Sequence, residues 1–253
     1  MRHKIPVIIS SVGCFALATA AHGFTPQGED TRYEVDGESF SGYFVSGGDN
    51  PKGSVIIVHD WDGLDDYERQ RADMLAEEGY DAFAVDLFGE GNRPQAIEDK
   101  QAATRALYED RERMRQLTLA GLAHAREVGA ASRSVIMGYC FGGAVALEIA
   151  RSGEADDIAA YTSFHGGLDT PEGQAYAADT APIYIAHGGA DDAVSLEDVA
   201  TLATELEAAG VTYEIGIYSG APHAFSVFGS DRYHERADQQ SWATFQQWLA
   251  EML

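Results

Sequence analysis

The sequence predicts an α/β domain built on a mostly parallel central sheet with helices on both faces. Short apolar runs at 54–59, 81–85, 134–137, 158–164, 182–186 and 213–218 alternate with segments of helical spacing, the pattern of a parallel sheet linked by crossovers. The run at 54–59 is apolar on both alternations, as a strand covered on both faces must be. The chain has 253 residues, 45% of them hydrophobic, and no repeat or linker long enough to divide it. Residues 21–253 are therefore expected to form one domain with a sizeable core.

Taken in order, residues 30–45 alternate polar and apolar positions around glycines and read as a leading hairpin. A turn region at 47–53 leads into the strand at 54–59, and a helix at 66–78 stops at Gly79. The strand at 81–85 ends before Asp86, and a long helical region at 94–128 is expected to break near Asp110. The strand at 134–137 is followed across a glycine-rich turn by a helix at 144–150, apolar apart from Glu148. Strands at 158–164 and 182–186 precede a helix at 196–209 with Gly210 behind it, then a strand at 213–218. The closing helix at 237–252 aligns Trp242, Phe245, Trp248 and Leu249 on one face, a pattern of core packing.

Charge and the first residues bound the function. Asp and Glu number 41 against 17 Lys and Arg, a net charge of −24. Such a surface repels nucleic acid and anionic lipid, so neither is an expected partner, and a monomer acting on a small molecule is. Met1-Arg2-His3-Lys4 is basic, residues 5–18 are apolar or small, and Ala18-Thr19-Ala20 offers a cleavage site. This is the pattern of a secretory signal over residues 1–20, cut after Ala20, and it implies a periplasmic or secreted protein without stable membrane insertion. Cys14 follows Ser11-Val12-Gly13, a faint lipoprotein pattern, but apolar residues continue beyond it. After cleavage Cys140 is the only cysteine, so no intramolecular disulfide forms and a free thiol must be buried or useful.

Cys140 lies in Gly138-Tyr139-Cys140-Phe141-Gly142-Gly143, between a strand and a helix. Flanking glycines permit a tight turn that presents the thiol to a pocket near a helix start. A nucleophile and a buried free cysteine are both compatible with the turn alone. Three further groups sit where strands end: His59-Asp60-Trp61-Asp62-Gly63, His187-Gly188-Gly189-Ala190-Asp191-Asp192, and Gly220-Ala221-Pro222-His223-Ala224-Phe225. Ligands and reactive groups in open α/β sheets gather at that edge. Cysteine, acid and histidine in this chain order suit acyl transfer: Cys140 attacks, His223 moves the proton, Asp191 orients the imidazole, and backbone N–H groups hold the oxyanion. Asp192 competes with Asp191 for the orienting role. His59, His165 and His187 near strand ends raise a metal site as a lesser reading, but no HExxH or paired-cysteine spacing accompanies them. Neither a P-loop lysine pattern nor GxGxxG is present, so no cofactor is expected.

At these loops the sequence resembles the dienelactone hydrolase family, the carboxymethylenebutenolidase-like branch of the α/β-hydrolase fold, over residues 40–249. The matching motifs are GYCFGG at 138–143, Asp86-Leu87-Phe88, Ser163-Phe164-His165-Gly166-Gly167, and the spaced Asp191 and His223 loops. The resemblance implies a Cys140–Asp191–His223 triad and an oxyanion hole from the N–H groups of Trp61 and Phe141. It also places Asp60 where the family usually has a glutamate that meets the resting thiol; with one fewer methylene, Asp60 reaches Cys140 less far or through water. Two substrate-binding arginines of the family fall on Glu90 and Val227 here. Glu90 would repel an anionic lactone, with Arg93 close enough to compensate, while Trp61, Tyr139, Phe141 and Phe225 would line an aromatic pocket. The expectation is a hydrolase of a lactone or small ester, with dienelactone one of several candidate substrates. A ligand-binding protein without turnover is the alternative; thiol redox chemistry is disfavoured by the lack of a second mature cysteine.

Overall fold

The computed structural model describes residues 24–253; the signal segment and Cys14 lie outside them. A β-hairpin opens the fold: β1 (Glu29–Val35) and β2 (Glu38–Val45) pair antiparallel across Asp36-Gly37. Both turn residues have positive φ, 54° and 81°, as a two-residue hairpin turn that matches strand twist requires. The remaining strands are β3 (Ser54–Val58), β4 (Asp81–Val85), β5 (Ser134–Tyr139), β6 (Ile158–Phe164), β7 (Ile183–Gly188) and β8 (Tyr213–Tyr218). They form one eight-stranded sheet in the order β1-β2-β4-β3-β5-β6-β7-β8, parallel from β4 to β8. The hairpin joins it through an antiparallel β2–β4 pairing.

The central strands β3, β4 and β5 are buried at every position, which is why their sequences lack alternation. Helices α1 (Asp66–Glu77) and α6 (Glu235–Met252) cover one face with Leu75, Trp242, Phe245, Trp248 and Leu249 in its core. Helices α3 (Arg111–Glu127), α4 (Phe141–Ser152) and α5 (Leu196–Ala209) cover the other with Met114, Leu117, Val145, Ile149, Leu202 and Leu206. The aromatic face of α6 is thus core, as its spacing indicated.

Local chemistry sets the ends. Asp65 with Glu68 and Ser195 with Asp198 form capping boxes that start α1 and α5. The long helical region is indeed broken at Asp110, whose carboxylate accepts from Arg113 N–H at 3.0 Å and so ends α2 (Ile97–Glu109) and starts α3. Helix α2 buries only Leu107 and leaves Ile97 58% exposed, so it lies over the domain rather than within it.

Candidate active site

The carboxyl ends of β3, β5, β7 and β8 meet around a cavity of about 480 Å3 lined by Asp60, Trp61, Cys140, His223 and Val227, among others. Its centre is the turn from β5 into α4. Cys140 there has φ 50° and ψ −111°, a backbone state that costs a non-glycine residue energy and that the surroundings must enforce. Its N–H donates to Phe164 O at 3.0 Å, and the glycines let the elbow approach β3. A Cβ at Gly142 would sit 2.1 Å from Val58 O, and one at Gly138 2.1 Å from Gly142 C. Only glycine fits either place.

The imidazole of His223 bridges two partners. Its Nε2 lies 3.1 Å from Cys140 Sγ and its Nδ1 2.9 Å from Asp191 Oδ2. The other oxygen of Asp191 accepts from Ala193 N–H at 2.8 Å and Val194 N–H at 2.9 Å, which fixes the carboxylate's orientation. Asp191 has a fully buried side chain, whereas Asp192 is exposed, so it is Asp191 that meets the histidine. Burial opposes charge on His223, but the Asp191 carboxylate and the Cys140 sulfur outweigh it and raise the imidazole to about 10. Burial likewise disfavours ionised Asp191, yet hydrogen bonds from His223 and the Val194 and Ala193 N–H groups hold it below the usual carboxylate range. Phe141 is the first residue of α4, so its N–H is one of the helix-start donors without an intrahelical acceptor, and Cys140 supplies no side-chain cap. Anionic oxygen beside Sγ would meet that donor.

Other expected residues fall elsewhere. Asp60 lines the cavity, but its Oδ1 accepts from Asp62 N–H at 3.0 Å and its backbone N–H points to Glu68 Oε1 at 3.4 Å. The thiol's partner in the structure is His223, not Asp60, because the aspartate's short side chain turns back on its own loop. Burial, and then the neighbouring Asp62, raise the Asp60 carboxyl well above the usual range. Burial also works against Asp62, but the hydrogen bond with Asp60 and the Lys100 ammonium at 2.8 Å keep Asp62 low. Glu90 and Arg93 line a separate cavity; Glu90 pairs with Arg32 at 2.5 Å, while Arg93 is spent on Asp86 and the Leu64 and Asn92 carbonyls. Tyr139 and Phe225 are fully buried and belong to the core. Tyr139 points away from the cavity because successive strand residues face opposite sides. The Phe141 ring is also nearly buried, against His59, Phe88 and Tyr108.

Among the described residues, no group of three or more His, Cys, Asp or Glu is placed to hold a metal ion. His59 has a local task instead: its Nδ1 lies 2.6 Å from Asp60 O, and its Nε2 accepts from Leu87 N–H at 3.1 Å. It thereby fastens the Asp60–Trp61 loop to the end of β4. Ile97, Ala193, Ala224, Ser230 and Arg232 also line the cavity, though no motif marks them for that place. Asp62, next but one to Asp60 in the chain, lines the cavity too, and Ile97 is legible as a large apolar residue that opens a polar helix.

A model of the dienelactone hydrolase family matches residues 40–253. A carboxymethylenebutenolidase of Rhodococcus opacus is 28% identical over 179 residues, which cover 68% of this chain and 69% of that one. A candidate carboxymethylenebutenolidase of Escherichia coli (strain K12) is 28% identical over 210 residues, 79% of this chain and 78% of its own. Among solved structures, a dienelactone-hydrolase-like promiscuous phosphotriesterase from metagenomic libraries superposes with a TM-score of 0.80 at 25% identity, covering 89% of this chain and 98% of that one. With its mostly parallel sheet, its glycine elbow and a family match that spans nearly all the described residues, the chain belongs to the dienelactone hydrolase family of α/β-hydrolases and is an esterase-like hydrolase.

Proposed function

We propose that the protein hydrolyses a lactone or small carboxylic ester through a Cys140 acyl-enzyme, with His223 as acid–base and Asp191 as its orienting partner. The observation that carries this is the line Cys140 Sγ–His223 Nε2–Asp191 at 3.1 and 2.9 Å. Sulfur attacks the acyl carbon, the carbonyl electrons move to oxygen, and the oxyanion is held by the N–H groups of Phe141 and Trp61. On collapse the ester C–O bond breaks and His223 protonates the departing alkoxide. Water then loses a proton to His223 and attacks the thioester carbon, the C–S bond breaks, and the acid leaves while the sulfur and the proton on His223 restore the resting pair.

The cavity walls favour an uncharged, largely apolar acyl or alkyl group. Trp61, Ile97, Ala224 and Val227 supply the apolar surface, Asp62 is matched by Lys100, and burial works against charge on Asp60. Glu90 and Val227 cannot bind a carboxylate, so neutral lactones and short acyl esters are the expected substrates; a preference for anionic dienelactones would point to Arg232, which also lines the cavity. The signal pattern in residues 1–20 supports action in the periplasm or outside the cell. Full activity in Cys140→Ala would refute the mechanism; an acyl mass increment on Cys140 in rapidly quenched wild type is the expected result.

A further inference from the structure

His223 sits on a loop with turn bonds of its own, Val227 N–H to Ala224 O at 3.1 Å and His234 N–H to Phe225 O at 2.9 Å, to which the core adds an outside anchor. The next residue, Ala224, has φ 61°, a left-handed state that a side chain resists unless the surroundings impose it. The grip comes at Ser226, three residues past the histidine and fully buried. Its carbonyl accepts from Arg71 Nη2 at 2.9 Å. Its hydroxyl lies 2.7 Å from Tyr67 Oη and 2.8 Å from His165 Nε2. Arg71, on α1, is itself only 1% exposed and also binds the Asp238 carboxylate of α6. That carboxylate accepts from Tyr233 Oη at 3.1 Å. The guanidinium carbon lies over aromatic rings, 4.2 Å from the Phe228 centroid and 4.7 Å from that of Trp242.

We propose that Arg71 is a positioning residue for His223, clamping the Ser226 carbonyl and tying its loop to α1 and α6 so that the imidazole stays in line between Cys140 and Asp191. A buried ion pair is a poor means of stabilising a core, since apolar residues of similar volume often serve as well or better. What a planar, multidentate cation adds is direction: one group fixes the loop carbonyl, the α6 carboxylate and two rings at once. Helix α1 also follows directly on the Trp61 loop, so the same clamp sets the general base relative to the oxyanion donor across the cavity. The inference rests on Cys140 and His223 being the reacting pair.

The test compares wild type with Arg71→Met, Arg71→Lys and Asp238→Asn, reading kcat, KM, thermal midpoint and the pH profile of Cys140 alkylation by iodoacetamide. Displacing a reacting group by about 1 Å costs about 100-fold in rate. Well below its melting point, Arg71→Met should lose about 30- to 100-fold in kcat with KM changed less than about threefold. Its alkylation profile should move toward that of His223→Ala, which a loss of stability alone would not produce. Arg71→Lys should recover part of both. A lowered melting point with wild-type kcat and wild-type alkylation in Arg71→Met overturns the proposal. If Arg71→Met does not fold, the near-isosteric Asp238→Asn decides: a loss of about 3- to 10-fold in kcat is expected, and no loss overturns it. Cys140→Ala run in parallel separates the two claims. Turnover there defeats the nucleophile itself, whereas wild-type kcat in Arg71→Met beside an inactive Cys140→Ala defeats only the clamp.

Discussion

Replacing Asp191 by asparagine should nearly abolish turnover while leaving the fold intact, and the structure dictates why. One carboxylate oxygen of Asp191 is held by two N–H donors, Ala193 at 2.8 Å and Val194 at 2.9 Å. In Asp191→Asn the amide oxygen must stay on that side, because an NH2 group there would face two donors. The NH2 is then forced toward His223 Nδ1, now 2.9 Å from Oδ2, and Nδ1 must accept rather than donate. The imidazole proton moves to Nε2, where it points at Cys140 Sγ and can no longer receive the thiol proton. Wrong-tautomer histidine in a comparable triad costs about 10^4 in kcat, equivalent to about 5.5 kcal/mol of barrier. A steady-state assay on a short acyl ester gives kcat, and circular dichroism with a melting curve verifies the fold. The exposed Asp192→Asn should keep wild-type kcat. An Asp191→Asn enzyme within tenfold of wild type, or an Asp192→Asn enzyme that is the more damaged of the two, would refute the reasoning.

Other outcomes follow from the same geometry. Because His223 is raised from its ordinary value to about 10, its contribution to stability is fully present below about pH 6.5 and disappears as pH rises through about 10; the melting-point gap between wild type and His223→Gln should shrink across that window, and a gap that widens with pH would contradict it. Asp60→Asn should change kcat by less than about tenfold, under about 1.4 kcal/mol, since burial disfavours the carboxylate's charge and its hydrogen-bond partner is Asp62 rather than Cys140; a near-complete loss would show that the carboxylate activates the thiol. Gly142→Ala should cost about 1–3 kcal/mol in stability and most of the activity, because a Cβ there would lie 2.1 Å from Val58 O; denaturant melts and ester turnover measure both. Lys100→Ala removes the partner of Asp62 and the cation 5.3 Å from the Trp61 ring, so KM should rise more than kcat falls, as substrate titration would reveal.

The strand and helix order was legible because parallel strands buried on both faces leave unbroken apolar runs, and because Asp110 and Gly210 end helices by local chemistry. GYCFGG, Asp191 and His223 were legible too, since an elbow and strand-end loops are written in contiguous residues. Cavity lining was not. Tyr139 and Phe225 have the right composition for a pocket, but strand alternation and loop packing turn them into the core. Arg93 is near Glu90 in the chain and in space, yet its charge is consumed by Asp86.

The sequence by itself determined the fold class, the reactive residue types and their order along the chain, because each depends on local periodicity or on a short motif. Only the tertiary structure decided which acid meets His223, that Asp60 turns toward Asp62 instead of the thiol, and that Arg71, 152 residues from His223 in sequence, braces its loop. Those outcomes hang on distances of 2–4 Å between side chains brought together by crossovers, and on burial, which sets the charge each group can carry.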